Sequence, residues 1–248
     1  MDLIIIYILL ISFIATLFRS TFGFGESLIA VPLFSLFLPI NVSVPLSVLM
    51  SIVVASVVVV QDHKQIHFDS AKWLIIFAAL GIPFGLLILF YGNEFYIKIG
   101  LGILIIIYSI YSLKGKNTFT LEKDSKFWLF VCGFLSGVFG GAYGVNGPPL
   151  VVYGNMRKWD AQYFRATLQA YFLPAGILSI IGYAFEGLIN WIVIKYFLIT
   201  IPVLIPAIFL GRYLNRKIRG NSFYLYVYLG LILIGLILIF NSFALIGL

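Results

Sequence analysis

Charge is what this sequence has least of: among 248 residues, 16 are Lys or Arg and 9 are Asp or Glu, one tenth in all against about a quarter in a soluble domain. A chain that is 62% hydrophobic has no polar surface with which to cover a core, so a water-soluble globular protein is excluded and the solvent is lipid. Cysteine is nearly absent. The single Cys132, inside an apolar run, excludes an intrachain disulfide and a thiolate metal cluster. Enzyme signatures are missing too, with no His-Glu-x-x-His, no Gly-x-Ser-x-Gly and no histidine beside Cys132. No catalytic residue, metal or cofactor is therefore expected. His63 and His67, four apart beside Asp62 and Asp69, read as a solvated loop between crossings. Strand alternation is also lacking, since 43–60 is apolar on every face, which excludes a β-barrel.

Long hydrophobic runs are what the chain has. Those at 43–60, 73–91, 95–113, 166–185, 191–211 and 222–248 approach or exceed the about 20 helical residues that cross a bilayer core. The first run, 3–18, follows Asp2 instead of a basic flank and precedes no small-x-small cleavage site, so it is expected to stay in the mature protein. Two regions differ from the rest. One places a break, Arg19 to Glu26 with Gly23 and Gly25, between apolar pieces 3–18 and 27–38; the other places a Gly/Pro-rich break at 140–149 between 127–138 and 150–153. Each predicts a hairpin of two short helices whose tip ends inside the membrane, where irregular backbone must line protein or a water-filled cavity.

Thirteen of the sixteen basic residues fall in four segments: Lys64 and Lys72; Lys114, Lys116, Lys123 and Lys126; Arg157, Lys158 and Arg165; Arg212, Arg216, Lys217 and Arg219. With these in the cytoplasm, both termini lie outside and every run alternates. The positive excess is then a matter of orientation, and nucleic acid is excluded as a partner. Lys98 and Lys195 are expected to snorkel. Each half has an odd number of crossings, so the expected fold is an all-α polytopic membrane protein of two inverted repeats. Each is a broken, re-entrant hairpin followed by three transmembrane helices: 1–115, a cytoplasmic linker 116–126, and 127–248. Phe95, Tyr96, Leu101, Gly102 and Ile106 recur 128 positions later as Phe223, Tyr224, Leu229, Gly230 and Ile234, and Pro32 and Pro149 follow Gly23 and Gly140 by the same nine residues.

Facing hairpins near the midplane are where secondary transporters hold their substrate, and half-helix N-termini present free N–H groups to an anion. The motifs Gly23-Phe24-Gly25 through Pro32, Ser136-Gly137-Val138-Phe139-Gly140-Gly141 through Gly147-Pro148-Pro149, and Phe164-Arg165-Ala166-Thr167 resemble the sulfite exporter TauE/SafE family over almost the whole chain. The resemblance implies a multi-spanning transporter of the cytoplasmic membrane that moves small sulfur-containing anions such as sulfite, sulfoacetate or related organosulfonates. Glu26, Pro45-Leu46-Ser47 and Arg165-Ala166-Thr167 depart from the commoner pattern.

Candidate substrate contacts are Gly25 and Ser27 in the first tip and Tyr143, Gly144, Asn146 and Gly147 in the second. Arg165 is the cation expected to grip an oxyanion through two parallel hydrogen bonds, with Gln169 one turn further along. Glu26 is the candidate carrier of a coupling proton, against a pair with Arg19 or a helix cap. The expected partners are the anion and the bilayer, with a homodimer as the candidate assembly. The alternative is a cation-selective carrier or channel centred on Glu26 and the tip carbonyls.

Overall fold

A computed structural model describes residues 3–114, 120–217 and 222–244, and every regular element among them is a helix. Asp2, Lys116, Arg219 and the 116–119 part of the expected linker lie outside the described residues, as do the side chains of Arg216, Lys217, Phe223 and Tyr224. The first half runs α1 (Leu3–Phe22), α2 (Glu26–Phe34), α3 (Ile40–Asp62), α4 (Phe68–Tyr91) and α5 (Glu94–Leu113). The second runs α6 (Lys126–Tyr143), α7 (Gly147–Met156), α8 (Ala161–Phe185), α9 (Trp191–Lys217) and α10 (Ser222–Ala244). Both follow one order: long, short, then three long. Among the described residues seven helices, α1, α3, α4, α5, α6, α8 and α9, are long and apolar enough to cross a membrane, and α10 is a further 23-residue helix. This is the helical polytopic membrane architecture. With 9 and 10 residues, α2 and α7 reach only about 15 Å.

The breaks are narrower than the composition suggests, three residues each at 23–25 and 144–146. Helix α1 continues through Arg19, Ser20 and Thr21, and α6 continues through Gly140 and Gly141. Gly141 serves close packing on α4, and a side chain at Gly140 would meet the Asn146 amide 2.5 Å away. Along α6, Gly133, Gly137 and Gly141 meet the backbone of α4, where a side chain at Gly141 would lie 2.5 Å from Ile82 O and one at Gly133 2.9 Å from Leu74 O. Small residues at every fourth position let two helices touch backbone to backbone, which is how packing drives association in lipid. The turn itself falls at Gly144, whose φ of 67° favours glycine; Gly144 N donates to Gly140 O and Val145 N to Phe139 O, closing α6. Its counterpart by position is Gly23, with φ 88°, so the breaks align Gly23 with Gly144 and not with Gly140.

Packing follows the repeated order. Helix α1 packs on α9 as α6 packs on α4, while α3 meets α8 and α5 meets α10. The last pair crosses at glycines on both sides: a side chain at Gly102 would lie 2.9 Å from Gly235 O, and one at Gly235 3.0 Å from Gly102 O. The repeated Phe-Tyr pair occupies the second and third positions of α5 and of α10. Helix α3 is the most enclosed span, and its middle is where the two breaks meet.

Candidate functional site

Gly23 packs against Arg165, whose guanidinium points toward Asp62 at the end of α3, with Nε 3.7 Å from Oδ2. Gly144 packs instead on Val48 and Val44, nearer the start of α3. The breaks thus straddle Ser51, halfway along α3. In the overlap, the first residues of α2 and of α7 face one small cavity of about 20 Å³, lined on one side by Gly25, Glu26 and Ser27 and on the other by Gly144, Asn146 and Gly147. Such a volume holds a single water.

Arg19 and Glu26 supply the charge, at 2% and 1% exposure. Arg19 Nη1 donates to Glu26 Oε2 at 2.6 Å and to Ser51 Oγ at 2.5 Å, and Nη2 donates to Gln169 Oε1 at 2.7 Å. Thr16 donates to the other carboxylate oxygen of Glu26 at 3.0 Å. The guanidinium carbon lies 4.8 Å from the centre of the Phe172 ring, a cation–π distance. Gln169 is itself fixed, because its Nε2 donates to Gly23 O at 2.6 Å. Four helices, α1, α2, α3 and α8, therefore hold one ion pair. A buried charge is tolerated only when paired and hydrogen-bonded, and both charges here meet that condition. Ser136 holds the second break by donating to Asn146 O at 2.6 Å, and the Tyr183 hydroxyl donates to Gly141 O at 2.9 Å.

Gly25, Glu26, Ser27, Gly144, Asn146, Gly147 and Arg19 all line the cavity, and Gln169 is one hydrogen bond behind it. Arg165 and Tyr143 lie elsewhere. Arg165 backs the first break from outside, and the Tyr143 hydroxyl packs over Gly100 of α5. The arginine inside the cavity is Arg19. Three neighbours were not singled out by sequence reasoning: Thr16, Ser51 and Phe172. Spacing could have found two of them, since Thr16 precedes Arg19 by three residues on one helical face and Ser51 continues Ser43 and Ser47 at four-residue steps. Phe172 is one aromatic among many and carries no such signal.

Taken together, the long apolar helices around a buried polar centre define a polytopic membrane protein. The chain belongs to the sulfite exporter TauE/SafE family, whose model matches residues 8–238. Membership implies membrane transport of sulfur anions such as sulfite. No curated protein and no solved structure matches the chain.

Proposed function

We propose that the protein carries a small sulfur oxyanion or organosulfonate, of the sulfite and sulfoacetate kind, across the cell membrane by alternating access, with the anion held between the two breaks. The observation that carries this reading is Arg19 inside a cavity onto which two helix N-termini converge. Both termini and the guanidinium favour negative charge. Among the described residues, the buried Nε of Arg19 has no hydrogen-bond partner, so a donor is left for a ligand. Gly25, Ser27, Gly144, Asn146 and Gly147 supply the surrounding N–H, hydroxyl and amide groups, and Gln169 orients Arg19. Arg165 and Tyr143 would meet substrate only in an opened form.

Glu26 neutralises Arg19 when the site is empty. An arriving anion competes for the same guanidinium, and the displaced carboxylate can take up a proton, whereas arginine has no neutral form in proteins. One anion and one proton then leave the charge of the site unchanged, which couples the two. A cation carrier centred on Glu26 fits less well, because the cation would have to displace a guanidinium that cannot be neutralised. The halves 1–115 and 127–248, joined by 116–126, act in this reading as inverted repeats with the termini outside and the four basic segments in the cytoplasm. No bond is made or broken.

Uptake of labelled sulfite into proteoliposomes tests it. Saturable uptake, inhibited by sulfoacetate or thiosulfate and not by chloride, is expected from the wild type. Arg19→Lys keeps the charge but loses the two-pronged grip and should raise KM about tenfold, the value of one charge-assisted hydrogen bond. Uptake of cations in place of sulfite would overturn the reading.

A further inference from the structure

A row of hydroxyl groups leads away from the cavity along α3 and α1. On the buried face of α3, Ser51, Ser47 and Ser43 follow one another at four-residue steps from the cavity toward Ile40, all 9% exposed or less. In the other direction the same helix buries Val54, Ala55 and Val58. Thr16 and Ser12 of α1, both fully buried, extend the polar side. Tyr7 and Phe37 lie with ring centres 6.2 Å apart, which puts the start of α1 beside the turn before α3. These five hydroxyls therefore lie between the cavity and the Ile40 end of α3. Ser51 and Thr16 bond the ion pair directly; beyond them Ser47 donates to Ser27 at 3.1 Å, and Ser43 donates to Pro39 O at 3.1 Å.

A cation stands where this polar face ends. Lys98 of α5 is 4% exposed, against the expectation that it snorkels to the surface. Its Nζ lies 3.0 Å from Glu94 Oε1, the oxygen that also accepts from Ile40 N at 3.1 Å on the first turn of α3. The partner is unlike it, with a carboxylate side chain 47% exposed. An ammonium carries three donors, and Glu94 Oε1 accepts one of them. An anion arriving along the polar face would accept another.

We propose that Lys98 is a second anion-binding residue, placed at the mouth of a hydroxyl-lined route that runs along α3 to the Arg19–Glu26 cavity. Glu94 holds its charge until the anion arrives. The proposal rests on the anion-transport reading of the central cavity and assigns it a direction of access: substrate passes on the Ile40 side of α3.

The test is sulfite uptake by proteoliposomes of defined orientation, with substrate presented to each face in turn. Lys98→Met should raise KM about tenfold on the Lys98 face, by loss of the local enrichment that a charged approach provides, with kcat and the opposite face unchanged. Lys98→Arg should restore it. Glu94→Gln keeps the acceptor for Ile40 N and frees the ammonium, so it should lower KM on the same face, a direction that loss of structure does not produce. Should Lys98→Met fail to fold, Glu94→Gln decides alone, and an unchanged or raised KM overturns the proposal. Wild-type uptake of sulfite with unaltered KM in both variants removes the role of Lys98 and leaves the central site standing. Absence of sulfite uptake by the wild type removes both.

Discussion

Arg19 and Glu26 leave water together, and the cost of doing so explains their neighbours. Each buried ion forfeits several kcal/mol of hydration, recovered only through good geometry and further hydrogen bonds; Thr16, Ser51 and Gln169 provide these. Removing one partner leaves the other uncompensated. Glu26→Ala should therefore destabilise the protein by about 3–5 kcal/mol, read as a lower Tm in detergent. Glu26→Gln retains an acceptor for Arg19 and should cost less. Its functional consequence separates structure from coupling: with no carboxylate to protonate, sulfite exchange should continue while accumulation driven by a pH gradient is lost. Gradient-driven accumulation by Glu26→Gln would mean that the proton travels elsewhere.

Elements are tied at their ends by fewer groups, and Asp124 is the clearest case. Lying between α5 and α6, it accepts from Ser70 at the start of α4, from Tyr153 of α7 and from Arg157 just beyond α7, at 2.7, 2.8 and 2.8 Å. Partial burial pushes its carboxyl up, but the Ser70, Tyr153 and Arg157 donors with the guanidinium charge outweigh that and hold it below the ordinary carboxylate range. A carboxylate lowered by folding stabilises above its unfolded pKa of about 3.9 and loses that contribution as pH falls through the folded value. Asp124→Asn should lower Tm at neutral pH, and the gap to wild type should close as the wild type is acidified below the ordinary carboxylate range. A gap that stays constant across that range would show that charge does not hold the junction. What the sequence could reveal at this scale was uneven. Run lengths and Gly-rich breaks located the helices, but Gly137 and Gly141 look the same whether they turn a chain or admit a neighbouring backbone, and only the presence of α4 decides. The Arg19–Glu26 pair, seven residues apart, was among the readings open from the sequence, whereas the partner of Arg165, Asp62 on another helix, is set by tertiary packing that no spacing encodes.

At the scale of the whole molecule, the two halves share an order of elements and a pattern of packed pairs, and under the proposed alternating access their relative orientation determines how the cavity opens. If α5 crosses the membrane once, the second half begins on the face opposite the first, and α2 and α7 reach the cavity from opposite sides. Rocking one half against the other then uncovers the same ion pair to each face alternately. Parallel halves would place both breaks on one side and make such exchange impossible. The choice can be read from single cysteines in a Cys132→Ser background, the native thiol being buried. Tyr91, Glu186, Lys64 and Lys123 are exposed loop or helix-end positions suited to labelling. A membrane-impermeant maleimide applied to intact cells should label cysteines at Tyr91 and Glu186, and should reach those at Lys64 and Lys123 only after permeabilisation. The decisive pair is Tyr91 and Lys123, which α5 alone separates among the described helices. Labelling of both from one side would mean that α5 does not cross, that the halves run parallel, and that the cavity cannot serve two faces in turn.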